Sequence, residues 1–150
     1  MKNAIKSNGP KSALARFMGD EEVSKEELFE LAKNEDWDIR SSVAQNSKTP
    51  KEILEILAKD KSPYVRALVA KNQNTPKEIL EVLAKDKNSD IRASVIQNPN
   101  ITKEILEILI EDKSPYIRLS AIKILELLAK DKDSYACLSA TQNLNAFKEK

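Results

Sequence analysis

The spacing of apolar and polar residues predicts short amphipathic helices. Between residues 51 and 59, the apolar side chains Ile53, Leu54, Leu57 and Ala58 recur at the three- and four-residue spacing of a helix, and charged side chains occupy the opposite face. Sustained alternation of apolar and polar residues, which would indicate strands, is absent from the sequence. The pattern therefore predicts an all-α fold.

A second helix is predicted directly after the first. Ser62 is placed to cap it, and Pro63 occupies the first helical position, where its missing N–H costs nothing. Its apolar face consists of Val65, Leu68 and Val69. The helix is expected to stop near Asn72, a residue that tolerates left-handed backbone and satisfies the last carbonyls of a helix.

The residues just before the first of the two helices predict a capping box. Thr49 and Thr75 are each followed by proline and, three residues later, by glutamate, and Ser24 with Glu27 offers the same chemistry. The hydroxyl of each capping residue is expected to accept a backbone N–H of the first turn.

This two-helix unit recurs with a period of 26 residues. Equivalent positions hold Leu28, Leu54, Leu80 and Leu106; Leu31, Leu57, Leu83 and Leu109; and Arg40, Arg66, Arg92 and Arg118. One such unit cannot bury its apolar face alone, so neighbouring units must stack. The sequence therefore predicts a single helical-repeat domain over residues 1–150, built as a right-handed α-α superhelix, or solenoid.

The ends of the domain depart from the period, as capping units do. The predicted parts are a flexible tail (1–11), an N-terminal half-repeat (12–24), four repeats (25–50, 51–76, 77–102 and 103–122) and a shortened C-terminal repeat (123–150). In the other repeats a short link separates the second helix from the first helix of the next repeat. This link is deleted after the last repeat, so one continuous helix is expected from Pro115 to about Lys130.

Composition excludes several function classes. The chain has 25 Lys and Arg against 24 Asp and Glu, so its net charge gives no general reason to bind nucleic acid or an anionic membrane. It has no His and one Cys, Cys137, which removes the usual catalytic base and metal ligands. Two glycines are too few for nucleotide-binding loops. We expect a cytoplasmic, non-enzymatic protein with no cofactor, no bound metal and no membrane partner.

The repeat TPKEILEILAKDKSPYVRALVAKN resembles the leucine-rich repeat variant family, whose units read roughly T-P-x-x-L-x-x-L-A-x-D and then, after four arbitrary residues, V-R-x-x-V-A-x-N. The resemblance covers residues 25 to about 122 closely. It implies an all-helical right-handed superhelix similar to HEAT and armadillo solenoids, which are chiefly binding scaffolds.

The repeated arginines have two interpretations. Aspartates stand six residues before three of them, in the pairs Asp60 and Arg66, Asp86 and Arg92, and Asp112 and Arg118. This spacing favours hydrogen-bonded structural ties within or between repeats. In the alternative, a nucleic-acid-binding HEAT-like solenoid, Arg40, Arg66, Arg92 and Arg118 contact phosphates, which the balanced charge disfavours.

Three aromatic residues are candidates for contact with a partner. Tyr64 and Tyr116 alternate with Asp38 and Asp90 at one repeat position, which indicates an exposed site, and Trp37 lies one position earlier in its repeat. The alternative for Trp37 is that it covers the end of its helix. We expect a scaffold that binds a protein or peptide on a curved helical surface.

The oligomeric state is expected to be a monomer or a weak homodimer. Self-assembly is a third interpretation, in which the shortened C-terminal repeat exposes an incompletely capped edge carrying Leu138 and Phe147. Cys137 is interpreted as a small buried residue of that repeat.

We predict that Arg66→Ala lowers the thermal unfolding temperature, because a tied guanidinium stabilises the stack. Thermal denaturation followed by circular dichroism measures this. An unchanged melting temperature together with lost ligand binding would overturn the structural interpretation.

Overall fold

The computed structural model describes residues 9–130, and within that range the chain forms nine α-helices and no β-strand. The helices are α1 (Pro10–Met18), α2 (Lys25–Ala32), α3 (Trp37–Gln45), α4 (Lys51–Leu57), α5 (Pro63–Lys71), α6 (Lys77–Leu83), α7 (Ser89–Ile96), α8 (Lys103–Leu109) and α9 (Pro115–Ala129). This part of the chain is all-α, as the apolar spacing predicted. The chain divides into two compact units between Thr75 and Pro76.

The first unit contains helices α1 to α5. The second helices of successive repeats pack on one another, α1 against α3 and α3 against α5, while the first helices α2 and α4 form a separate contact. The residues that the 26-residue period aligns lie in the core, where Leu54, Leu57, Val43 and Val69 have no exposed surface. The apolar residues that recur every 26 residues are therefore the ones that neighbouring repeats bury against each other.

The second unit contains helices α6 to α9. Helix α6 packs on α7, and both α7 and α8 pack on α9. Its fully buried side chains include Leu80, Ile91, Ile105, Leu109 and Leu125. Helix α9 runs without interruption for 15 residues, which confirms the long helix predicted from the deleted link.

The N-terminal half-repeat is a helix, but it begins earlier than predicted. Helix α1 starts at Pro10, in the first helical position that proline favours, two residues before the predicted start of the half-repeat. Ala13 and Phe17 bury the inner face of α1. The rest of the predicted tail (1–8), and the predictions for Cys137, Leu138 and Phe147, lie outside the described residues.

The capping prediction holds at Ser24. Its hydroxyl accepts the N–H of Glu27 at 3.1 Å, and the Glu27 carboxylate accepts the N–H of Ser24 at 3.0 Å. This backbone hydrogen bond, followed by one from the Arg16 guanidinium, lowers the pKa of Glu27. The box ties the start of α2 to α1, because Arg16 lies on α1.

The capping prediction was wrong at Thr49 and Thr75. Pro50 and Pro76 precede the first helical residues and no side chain caps α4 or α6. Both threonines are buried, and their hydroxyls donate to the carbonyls of Val43 at 2.5 Å and Val69 at 2.6 Å. The last carbonyls of a helix lack partners within it, so each threonine stabilises the end of the preceding helix instead of the start of the next.

Asn72 links neighbouring repeats. It ends α5 with φ −69°, outside the left-handed region that the sequence suggested. Its side-chain amide donates to the carbonyls of Ala44 at 2.7 Å and Asn46 at 2.9 Å, both at the end of α3. The satisfied carbonyls thus belong to the preceding repeat. Leu68, predicted as buried, is half-buried.

We predict that Thr49→Val lowers the free energy of unfolding by about 1 kcal/mol, because it removes the buried hydrogen bond from the Thr49 hydroxyl to the Val43 carbonyl while keeping the side-chain shape, and that carbonyl then accepts only the N–H of Asn46. Urea unfolding measures the change. Ser47→Ala, at an exposed neighbouring position, is the control and is expected to change it by less than about 0.5 kcal/mol. Equal losses in the two variants would contradict a role for the Thr49 hydroxyl.

Candidate functional site

A buried ion pair joins the two repeats of the first unit. Arg40 on α3 donates from Nε and Nη2 to the Asp60 carboxylate at 2.6 and 3.1 Å, and from Nη1 to the carbonyls of Asn34 at 2.7 Å and Glu35 at 2.9 Å. The side chains of the pair are only 5% and 7% exposed. Hydrogen bonding to Asp60 raises the pKa of Arg40. The arginine of one repeat thus binds the aspartate of the next.

The second unit repeats this arrangement. Arg92 on α7 donates from Nε and Nη2 to the Asp112 carboxylate at 2.6 and 3.0 Å, and from Nη1 to the carbonyls of Asp86 at 2.8 Å and Lys87 at 3.3 Å. We call Arg40–Asp60 and Arg92–Asp112 the inter-repeat pairs. In each pair the aspartate follows the arginine by 20 residues.

The six-residue spacing noted in the sequence corresponds to a different contact. Arg66 Nη1 donates to the backbone carbonyl of Asp60 at 2.7 Å, and Arg118 Nη1 donates to that of Asp112 at the same distance. One aspartate therefore serves two arginines: its carboxylate binds the arginine of the preceding repeat, and its carbonyl binds the arginine that follows it.

This geometry bears on the nucleic-acid alternative. All three guanidinium nitrogens of Arg40 and of Arg92 already donate hydrogen bonds inside the protein, and Arg66 is buried as well. Arginine grips a phosphate through these same N–H groups. The observed contacts therefore favour structural ties over phosphate contacts.

The sequence contains a signal for the 20-residue pairing. One period before Arg40 stands Leu14, and one period before Asp60 stands Asn34, so both charges are missing together at the N-terminal end. A buried charge without its partner would be costly, which explains their joint replacement.

The inter-repeat pair Arg40–Asp60 brings two aromatic residues together at the starts of α3 and α5. Trp37 is the first residue of α3 and Tyr64 the second of α5. Their ring centroids lie 5.6 Å apart with the planes at 87°, an edge-to-face contact. Trp37 remains 49% exposed and Tyr64 56% exposed. We call these two residues the aromatic pair.

The loops that carry the aromatic pair are fixed by side-chain to backbone hydrogen bonds. Asn34 Oδ1 accepts the N–H of Asp36 at 2.9 Å, and Asp60 Oδ1 accepts the N–H of Ser62 at 2.8 Å. Such bonds hold the backbone in a turn without help from neighbouring strands or helices. The two aromatic side chains thus stand on a preorganised base.

An open cleft of about 480 Å³ lies beside the aromatic pair. It is lined by Glu35, Trp37, Arg40, Lys61, Ser62 and Tyr64, and we call it the aromatic cleft. Its lining contains one carboxylate, one ammonium group, one guanidinium group and no aliphatic side chain. Glu35, Lys61 and Ser62 were missed in the sequence, where their only signal is their place in the loops just before the aromatic residues.

Tyr116 belongs to the second unit, as the second residue of α9, and is 67% exposed. Ser89 occupies the repeat position of Trp37 there, two repeats further along the chain. Tyr116 contacts no other aromatic ring within the described part of the chain. Of the three predicted contact residues, the structure joins Trp37 and Tyr64.

Residues 9–130 contain no group of three or more His, Cys, Asp or Glu side chains that could hold a metal ion. Among the same residues, no helix combines the length and apolar character needed to cross a membrane. Comparison with known proteins finds no matching family model, no matching curated protein and no matching solved structure.

The electrostatics of Asp112 give a pH prediction. Burial raises the pKa of this carboxyl, but hydrogen bonds from Arg92 and from the N–H of Ser114 lower it by more, so the pKa falls below its ordinary value of about 3.9. The folded state therefore favours the ionised form. The resulting stability is complete above about pH 4 and is lost as the pH falls through the lowered folded-state pKa.

We predict that Asp112→Asn flattens the fall of unfolding free energy as the pH drops below about 4 and lowers stability at neutral pH. Urea unfolding at a series of pH values measures both effects. Glu52→Gln, at an exposed position, is the control and should leave the pH profile close to that of the wild type. Superimposable profiles for all three proteins would show that Asp112 does not carry this dependence.

Proposed function

We propose that the chain is a non-enzymatic interaction scaffold that binds a protein or peptide at the aromatic cleft. As part of this proposal, the repeats form the right-handed superhelix expected of a leucine-rich repeat variant protein, and the cleft lies on its surface.

The observation that carries the proposal is the exposure of the aromatic pair on a fixed base. About half of the surface of each residue faces solvent although the two rings are in edge-to-face contact. Tryptophan and tyrosine are enriched among the residues that contribute most to protein interfaces. A base that is already ordered also reduces the entropy lost when a partner binds.

The fold does not need aromatic residues at these two positions. Other repeats have Ser89 at the position of Trp37, and Asp38 and Asp90 at the position of Tyr64. Small and acidic residues suit the first turn of a helix, where the dipole favours negative charge. The aromatic pair is thus a departure from the repeat that packing does not explain, which supports a role in contact with a partner.

We predict that Trp37→Ser together with Tyr64→Asp abolishes capture of the partner while preserving the fold, since both residues are ones that other repeats use. Pull-down from native lysate with immobilised protein, at about 0.15 M and about 0.5 M NaCl, measures capture. The expected result is a discrete protein retained by the wild type at both salt concentrations, and a loss of affinity of at least about 30-fold in the double variant.

Tyr116→Asp is the matched control, because it makes the same change at an exposed tyrosine with no aromatic neighbour. It should capture the partner as the wild type does. Unfolding temperatures of all variants establish that the fold is intact. Capture that survives in the folded double variant would show that the aromatic cleft is not the binding site.

A further inference from the structure

We infer that the aromatic cleft takes an extended, proline-containing peptide segment in the polyproline II conformation. This inference rests on the proposed function and names the chemistry of the partner. It depends on three features of the cleft: its unused hydrogen-bond donors, the composition of its walls and its charge.

Both aromatic side chains have a donor to offer. Within the described residues, neither the indole Nε1–H of Trp37 nor the hydroxyl of Tyr64 has a hydrogen-bond partner in the protein, and both rings are half exposed. A polyproline II segment makes no internal hydrogen bonds, so its carbonyls stay available as acceptors. The apolar pyrrolidine rings of such a segment can pack on the faces of the two aromatic rings. Its carbonyls can accept hydrogen bonds from the indole N–H and the tyrosine hydroxyl.

The other common modes of peptide recognition need features that the described residues do not supply here. Strand addition needs a sheet edge, and residues 9–130 contain no strand. A bound amphipathic helix needs an aliphatic groove, and no aliphatic side chain lines the aromatic cleft. Phosphopeptide recognition needs arginine N–H groups, which Arg40 already donates to Asp60, Asn34 and Glu35.

The charge of the cleft also fits an apolar segment. Glu35 and Lys61 contribute one charge of each sign, and the Arg40 charge is matched by Asp60. Binding to such a surface should depend little on salt, whereas binding of nucleic acid or of a highly charged peptide weakens as salt rises.

The chain provides its own reporter, because Trp37 is its one tryptophan. The probe is a peptide of ten prolines, which has no aromatic residue of its own. It is titrated into the full chain while the emission of Trp37 is recorded. We expect a saturable blue shift as the peptide covers the indole, with dissociation constants that agree within about twofold at about 0.05 M and about 0.5 M NaCl. Tyr64→Asp should weaken binding at least about tenfold, and Tyr116→Asp should leave it unchanged.

Two further decamers test the conformation that the cleft accepts. One alternates glycine and serine and is flexible, and the other is an amphipathic helix of leucine and lysine. Neither should shift the Trp37 emission at concentrations that saturate with the proline decamer. An equal response to either of them, or no response to the proline decamer, would overturn the inference.

A transfer experiment tests whether the aromatic pair is sufficient. Arg92–Asp112 reproduces the geometry of Arg40–Asp60 to within 0.1 Å in both carboxylate distances, but Ser89 stands where an indole would complete the pair with Tyr116. The double variant Trp37→Ser, Ser89→Trp should therefore bind the proline decamer at the second unit. Adding Tyr116→Asp to this variant should abolish the binding. A folded double variant that fails to bind the proline decamer would count against the aromatic pair as the determinant.

The two proposals fail in different ways. If lysate capture depends on Trp37 and Tyr64 but the proline decamer neither binds nor competes with the captured protein, the inference is wrong and the proposed function stands. If capture is unaffected by the double variant and the decamer does not bind, both are wrong.

Discussion

The ion pair between Arg40 and Asp60, with its counterpart between Arg92 and Asp112, is the interaction on which each unit depends. A single charge left alone in an apolar interior is strongly destabilising, so each partner requires the other. Because the partners belong to different repeats, their pairing fixes how neighbouring repeats meet. The same guanidinium also binds the loop before its own helix, and one side chain thereby holds three segments in place.

Much of the fold could be predicted from the sequence because its causes are local. The apolar stripe of α4 and the proline that begins α9 act within one helix, and both helices lie where the spacing put them. The prediction failed at Thr49, whose surroundings in the sequence match a capping box. There a carbonyl of the preceding helix competes for the hydroxyl, and that carbonyl is near only in the folded chain.

The candidate site was predictable only in part for the same reason. Alternation with aspartate correctly indicated that Tyr64 is exposed, since exposure is a property of one position. That Trp37 lies against Tyr64 depends on the pairing between repeats, which the six-residue spacing did not reveal. The four residues before Tyr116 are identical to those before Tyr64, yet Ser89 stands where Tyr116 would need a tryptophan neighbour, so the residues leading into the two tyrosines do not distinguish them.

The 20-residue separation within each pair has a consequence for how this chain can vary in length. Arginine and aspartate recur at the same 26-residue interval, so removing or duplicating a whole internal repeat recreates the spacing across the new junction. A junction of the Arg40–Asp60 or Arg92–Asp112 kind then keeps its counter-ion, and the N-terminal half-repeat lacks both charges, with Leu14 and Asn34 in their places. Copy number is thus free to change by recombination at repeat boundaries, whereas the loss of half a repeat would strand a charge in the interior.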